Sequence, residues 1–90
     1  DGIVFDSAKE AKRYYILKIR QLAGEISGLE LQPEYALVVN GMLICSYRGD
    51  FRYTEHGSLI CEDCKGIRTP AYRLKRKLMQ ALYQITILET

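Results

Sequence analysis

The stretch from Tyr47 to Gly66, Y-R-G-D-F-R-Y-T-E-H-G-S-L-I-C-E-D-C-K-G, constrains the fold of this chain more than any other. Two runs with strand character, Tyr47 to Thr54 and Ser58 to Lys65, flank His56-Gly57, the punctuation of a hairpin turn. A loop of those two residues makes Glu55 face Ser58 and Asp50 face Asp63, and a four-residue loop gives the same register. Directly opposed residues hold their Cβ atoms about 4.5 to 5.5 Å apart, and two carboxylates that close repel unless a cation neutralises them. A bulge at Gly49 would shift the register by one and carry Asp50 to the other face.

Side chains alternate along a strand, so Asp63 and Lys65 share one face and Glu62 and Cys64 the other. Asp50, Asp63 and Lys65 then lie together on one surface. Two acids beside a lysine suit phosphodiester hydrolysis: the acids hold Mg²⁺, the metal polarises a phosphoryl oxygen and activates water, and the ammonium stabilises developing negative charge. The alternative is a surface hairpin with ordinary charges, since D-x-K is a short pattern.

At 90 residues the chain makes one domain, 1–90, with a modest core. A composition 48% hydrophobic and 27% charged, without repeats or low-complexity tracts, argues against disorder. No apolar run reaches membrane-span length and the first residues lack a secretory pattern, so the expected location is the cytoplasm, with no membrane partner. The chain opens at Asp1 without a methionine, as expected where a leader or tag has been removed or left out. Cys45, Cys61 and Cys64 are odd in number and are expected to be free thiols. C-E-D-C has the spacing of a zinc knuckle, but on an extended strand its two sulfurs point to opposite faces.

In chain order, S-A-K-E from Ser7 reads as a capping box with Glu10 at its third helical position, opening a helix over about 8 to 23 that stops at Gly24. Ala8, Ala11, Tyr15, Ile19 and Leu22 form its expected buried stripe, and Glu10 points away from that stripe's centre. Leu29 to Val39 reads as a strand with a bend or bulge at Pro33. Asn40-Gly41 signals a tight turn, and Met42 to Ser46 returns antiparallel toward Asp50, completing a three-stranded meander. Thr69-Pro70 caps a second helix over about 70 to 83, with Ala71, Leu74, Leu78 and Leu82 inward. Gln84 to Leu88 alternates and should be a final strand beside the hairpin.

Lys65, Arg68, Arg73, Lys75, Arg76 and Lys77 are interrupted by no acid, so a net charge of +2 conceals a strongly positive patch. Cations crowded near a helix N-terminus oppose its dipole, at about 0.3 to 1 kcal/mol each, and a bound anion would offset that. Phosphate at such a terminus, and nucleic-acid backbone in general, is the natural ligand. A solvated helix face is the alternative.

The order helix, three antiparallel strands, helix, strand, with an acid on one hairpin strand and D-x-K on the next, resembles the PD-(D/E)XK nuclease superfamily. That resemblance implies an α/β restriction-endonuclease-like core, α-β-β-β-α-β, with a mixed sheet flanked by two helices. More closely, F-D-S-A-K-E-A, L-E-L-Q-P, D-F-R-Y, E-D-C-K-G and T-P-A-Y-R-L-K-R-K-L resemble a small phage and prophage family known as domain of unknown function ten-sixty-four. The resemblance implies a metal-dependent DNA endonuclease in which Asp50 and Asp63 bind Mg²⁺ (or Mn²⁺) and Lys65 is the catalytic lysine. Glu10 matches a first-helix glutamate near the metal, and Gln32 lies in a segment that runs close to the site. Gly49 stands where the superfamily often has proline. Arg68, Arg73, Lys75, Arg76 and Lys77 would hold DNA.

The expected substrate is branched or Holliday-junction-like DNA, as for recombination nucleases of phage in a bacterial host cytoplasm, because so few residues leave little room for a base-reading element. The alternative is a DNA-binding accessory protein that keeps the fold and no longer cuts. Two symmetric cuts would call for a homodimer, and Tyr14 and Leu17, outside the helix stripe, form a second apolar edge through which a two-fold contact could run.

Overall fold

The computed structural model describes residues 2–64 and 68–90. Ser7 starts the first helix: its Oγ accepts the N–H of Glu10 at 3.1 Å, and α1 runs over Ala8–Leu22. The face it buries is not the expected one. Glu10, Tyr14 and Leu17, spaced four and three apart, point inward, whereas Tyr15, Ile19 and Leu22 are more than half exposed. Two apolar stripes compete on this helix, and packing decides between them. The Tyr14 ring lies 5.1 Å from that of Phe5 and 6.5 Å from that of Phe51, and Leu17 joins Ile26, Phe51 and Tyr53 in one core cluster. Tyr14 and Leu17 are therefore core residues of the single chain, and the two-fold contact expected through them has no surface to use.

Five strands follow: β1 (Ser27–Leu31), β2 (Glu34–Val39), β3 (Met42–Arg48), β4 (Phe51–Glu55) and β5 (Ser58–Asp63). β1 pairs antiparallel with β4, and β2 with β3, and one register runs through both pairs from Glu30–Arg52 to Leu37–Cys45, with shifts beyond it between Ser27 and Glu30 and between Leu37 and Val38. Leu31 faces Phe51, the Gln32 N–H donates to the Asp50 carbonyl, the Gly49 N–H donates to the Pro33 carbonyl, and Glu34 faces Arg48. The expected meander is thus a long ribbon, kinked where Gln32-Pro33 faces Gly49-Asp50, with its far half standing as a separate two-stranded sheet.

The kink has local causes. Pro33 has no N–H to give the ladder, and Gln32 takes a left-handed φ of 50°. Opposite them the backbone of Gly49 presses on β5 so closely that a Cβ there would lie 2.9 Å from Cys61 Sγ. Both tight turns carry positive φ at two successive residues, Asn40-Gly41 and His56-Gly57, as two-residue hairpin loops require.

Thr69 caps α2 (Pro70–Tyr83), its Oγ accepting the Tyr72 N–H at 3.1 Å. Tyr72 and Met79 are its buried residues, Leu78 and Leu82 pack partly against the core, and Ala71 and Leu74 of the expected stripe are exposed. Gln84 ends the helix in the left-handed conformation, and the Ile85 N–H turns back to the Met79 carbonyl. The chain therefore reaches the sheet later than Gln84: β6 is only Leu88–Glu89, parallel to β5. Ile85 and Ile87 are buried on the way.

The main sheet has the order β1-β4-β5-β6 and is mixed, antiparallel except for its last pair. Phe51, Tyr53 and Ile60 on one face meet Tyr14 and Leu17 of α1. On the other, Cys61 joins Tyr35, Tyr47, Tyr72, Met79, Ile85 and Ile87 under α2. No helix among the described residues is long and apolar enough to cross a membrane.

Candidate active site

Asp50 and Asp63 come together where the kinked ribbon meets the end of β5. The expected register holds from Glu55–Ser58 to Phe51–Glu62, and the ladder stops there. Asp50 lies at the bend beyond it, donating its N–H to the Glu62 carbonyl at 2.9 Å and accepting the Cys64 N–H on Oδ2 at 2.6 Å. Asp63 is buried at the end of β5, where its Oδ2 accepts the Tyr47 hydroxyl at 2.6 Å. Burial first, and then this bond, push the Tyr47 phenol up, so it stays neutral and remains a donor.

α1 brings Glu10 to the same end. Ser7 uses only the backbone of Glu10 for its cap, while the side chain turns inward and is 5% exposed. The rotation of α1 that buries Tyr14 and Leu17 is what aims it there, contrary to the direction the expected stripe gave it. Its carboxyl is raised above the ordinary value by burial and then by the negative charges of Asp50, Asp6 and Asp63, with Arg48 opposing them. A carboxyl destabilised as an anion by neighbouring acids is one that an added cation would stabilise. Among the described residues no three His, Cys, Asp or Glu side chains are grouped tightly enough to hold a metal ion as they stand. Gln32 adjoins the site through its backbone, bonded to the Asp50 carbonyl, and its side chain is exposed. Lys65 lies outside the described residues.

Glu62, next in sequence to Asp63 but on the opposite face, has a different role. Fully buried, it accepts Arg13 Nε and Nη2 at 2.8 and 2.7 Å and the hydroxyl of Tyr53. The Tyr53 phenol is pushed up to about 12 by burial and by that bond. This network holds α1 one turn beyond Glu10.

The basic residues divide. Arg68 and Arg76 both bond Glu89, at 2.7 and 3.4 Å, and Tyr72 donates to the same carboxylate. Arg68 first, and then Tyr72, hold Glu89 down to about 2. Arg68, Arg73, Arg76 and Lys77 line a cavity of about 590 Å³ with Gln80 and Thr86, while Lys75 projects toward β3 instead. Arg48 was missed by sequence reasoning, yet its signal was present: it stands two residues before Asp50, on the same side of an extended chain. The cysteines do not gather. Cys61 and Cys64 pack on opposite faces, and burial pushes the Cys61 thiol up to about 11.

Residues 1–89 match the family model described as Protein of unknown function (DUF1064). No curated protein matches the chain.

Proposed function

The chain belongs to the DUF1064 family, and from its acidic site we propose that it is a metal-dependent DNA endonuclease with the restriction-endonuclease-like core of the PD-(D/E)XK superfamily. The observation that supports this reading is the electrostatic proximity of Glu10 to Asp50 and Asp63, the three supplied by a helix, a kink and a strand end. A purely structural role would call for cationic partners at Glu10, as Glu62 has in Arg13. Instead, among the described residues, the charges acting on Glu10 are those of Asp50, Asp6 and Asp63, opposed by Arg48.

The donor set fits Mg²⁺, or Mn²⁺ in its place, by its chemistry: hard carboxylate oxygens, few in number. Asp50 and Asp63 would hold the ion, which when bound supplies Lewis-acid polarisation of a phosphoryl oxygen and activation of water. Tyr47 orients Asp63 through its hydroxyl, and the Cys64 N–H orients Asp50. Glu10 would accept a proton from attacking water, a task that its raised basicity favours. Lys65, two residues after Asp63, would stabilise charge on the phosphate. The cations of α2 would hold the DNA backbone, and the small size of the chain favours a branched substrate read by shape.

Labelled linear duplex, single-stranded, flap and four-way-junction DNA, incubated with Mg²⁺ or with EDTA, test the proposal. Cleavage in Mg²⁺ alone, strongest on the branched substrates, is the expected result. Binding without cleavage of any substrate would replace the enzyme with an accessory DNA-binding protein.

A further inference from the structure

A cleft of about 480 Å³ opens between β3 and the first turns of α2, with Ser46, Tyr47 and Arg48 on one side and Thr69, Tyr72 and Lys75 on the other. It adjoins the acidic site through Tyr47, a lining residue whose hydroxyl is bonded to Asp63 at 2.6 Å. It is separate from the cavity of Arg68, Arg73, Arg76 and Lys77, which lies elsewhere along α2. Arg48 and Lys75 make no ion pair among the described residues, unlike Arg68 and Arg76, which are tied to Glu89. Glu34 also lines the cleft and faces Arg48 across the ladder, so it can balance one of the two cations and leaves the other. Thr69 uses its oxygen as an acceptor for the Tyr72 N–H and retains its hydroxyl proton for donation. The charge of Arg48 also acts on Glu10.

We infer that this cleft is a phosphate subsite that takes a phosphodiester of a nucleic-acid strand next to the group presented to Asp50 and Asp63, with Arg48 and Lys75 supplying charge and Ser46 and Thr69 supplying hydroxyl donors. The inference rests on the nuclease reading for the identity of the neighbouring group. Its chemistry is that of a phosphate ester held by two cations and two hydroxyls, a combination that recognises backbone and carries no base preference.

The test compares wild type, Arg48→Gln with Lys75→Gln, and Arg73→Gln with Lys77→Gln, each confirmed folded by its circular dichroism melt. Affinity for a short labelled single strand is measured in EDTA over a range of salt, with inorganic phosphate as a second probe. Loss of one backbone contact should weaken the strand by about tenfold at moderate salt and lower the slope of log K against log salt by about 0.7. A strand whose one linkage is a neutral methylphosphonate should lose the same affinity on the unaltered protein and lose little more on the Arg48/Lys75 variant. Wild-type affinity and slope in that variant overturn the subsite, as does a cleft that takes inorganic phosphate while the strand binds independently of it. The nuclease reading fails separately: if Mg²⁺ supports no cleavage but strand affinity still depends on Arg48 and Lys75, the enzyme falls and the subsite stands.

Discussion

Arg13 clasps both carboxylate oxygens of Glu62, at 2.8 and 2.7 Å, and thereby fastens the helix that carries Glu10 to the strand that carries Asp63. Glu62 is fully buried, whereas the Arg13 side chain keeps 24% of its surface in water. Removing the cation leaves a buried carboxylate with Tyr53 as its one side-chain partner among the described residues. Arg13→Met should therefore cost about 3 kcal/mol, the lower end of the range for breaking a buried pair, because Arg13 is only partly desolvated. Urea unfolding measures it. A second substitution, Glu62→Gln in the Arg13→Met background, should recover part of the loss, and a lack of recovery would show that the stems and not the charges matter.

Gly49 is required by contact with β5 and not by its own dihedrals. A methyl at this position meets Cys61 Sγ at 2.9 Å and the Glu62 carbonyl at 3.4 Å. Cys61 is fully buried and has nowhere to move. Gly49→Ala is expected to cost about 1 to 3 kcal/mol as overpacking, and Cys61→Ala should relieve much of it in the double variant. Independent, additive effects of the two changes in denaturant titrations would refute the contact.

Glu10 makes the fold sensitive to pH in an unusual direction. Its folded value is raised above the ordinary 4.5. Below the unfolded value both states hold the proton and no penalty exists; above the raised folded value the folded state carries the full penalty, so stability falls as pH rises through that window. Glu10→Gln should raise the melting temperature at neutral pH and lose that advantage as pH falls below about 4.5. Under the proposed function, Mg²⁺ should stabilise wild type more than Glu10→Gln at neutral pH. Scanning calorimetry across pH, with and without the ion, checks both parts.

Much of this architecture was legible in the sequence, and the misreadings share one cause. Local chemistry located the caps at Ser7 and Thr69, the turns at Asn40-Gly41 and His56-Gly57, and the span of α2. What local pattern could not decide was a contest settled by tertiary packing. α1 carries two apolar stripes, and tertiary partners such as the aromatic ring of Phe51 and the buried charge of Glu62 select Tyr14 and Leu17 over Tyr15 and Ile19. That one misreading sent Glu10 outward and made core residues look like an interface. Similarly, E-D in C-E-D-C presents two acids of equal chemistry. Alternation separated their faces, but that Glu62 meets an arginine from 49 residues away is a tertiary fact.

Among the basic residues, Glu89 sets which are available to a ligand. Arg68 and Arg76 are drawn to its carboxylate, while Arg73 and Lys77 line the same cavity without an ion pair among the described residues. Arg73→Ala with Lys77→Ala should lower the salt slope of duplex binding by up to about 1.8, and Arg68→Ala by distinctly less. Equal effects, read from fluorescence anisotropy titrations, would mean that DNA displaces Glu89.

Asp63→Asn tests the acidic site with the least disturbance to the fold. The asparagine carbonyl can still accept the Tyr47 hydroxyl that Asp63 holds at 2.6 Å, so the buried donor keeps its partner. What disappears is the charge, and with it the proposed metal ligand and one of the acids that raise Glu10. Cleavage in Mg²⁺ should fall by a factor on the order of 10² or more, while DNA affinity in EDTA stays within about twofold, because no phosphate contact has been removed. Asp63→Ala is the contrasting variant: it leaves the buried Tyr47 hydroxyl without its acceptor and should cost about 1 to 3 kcal/mol besides. Cleavage by Asp63→Asn at the wild-type rate would remove Asp63 from the chemistry. A loss of DNA affinity matching the loss of cleavage would instead make its role one of holding the surface in shape.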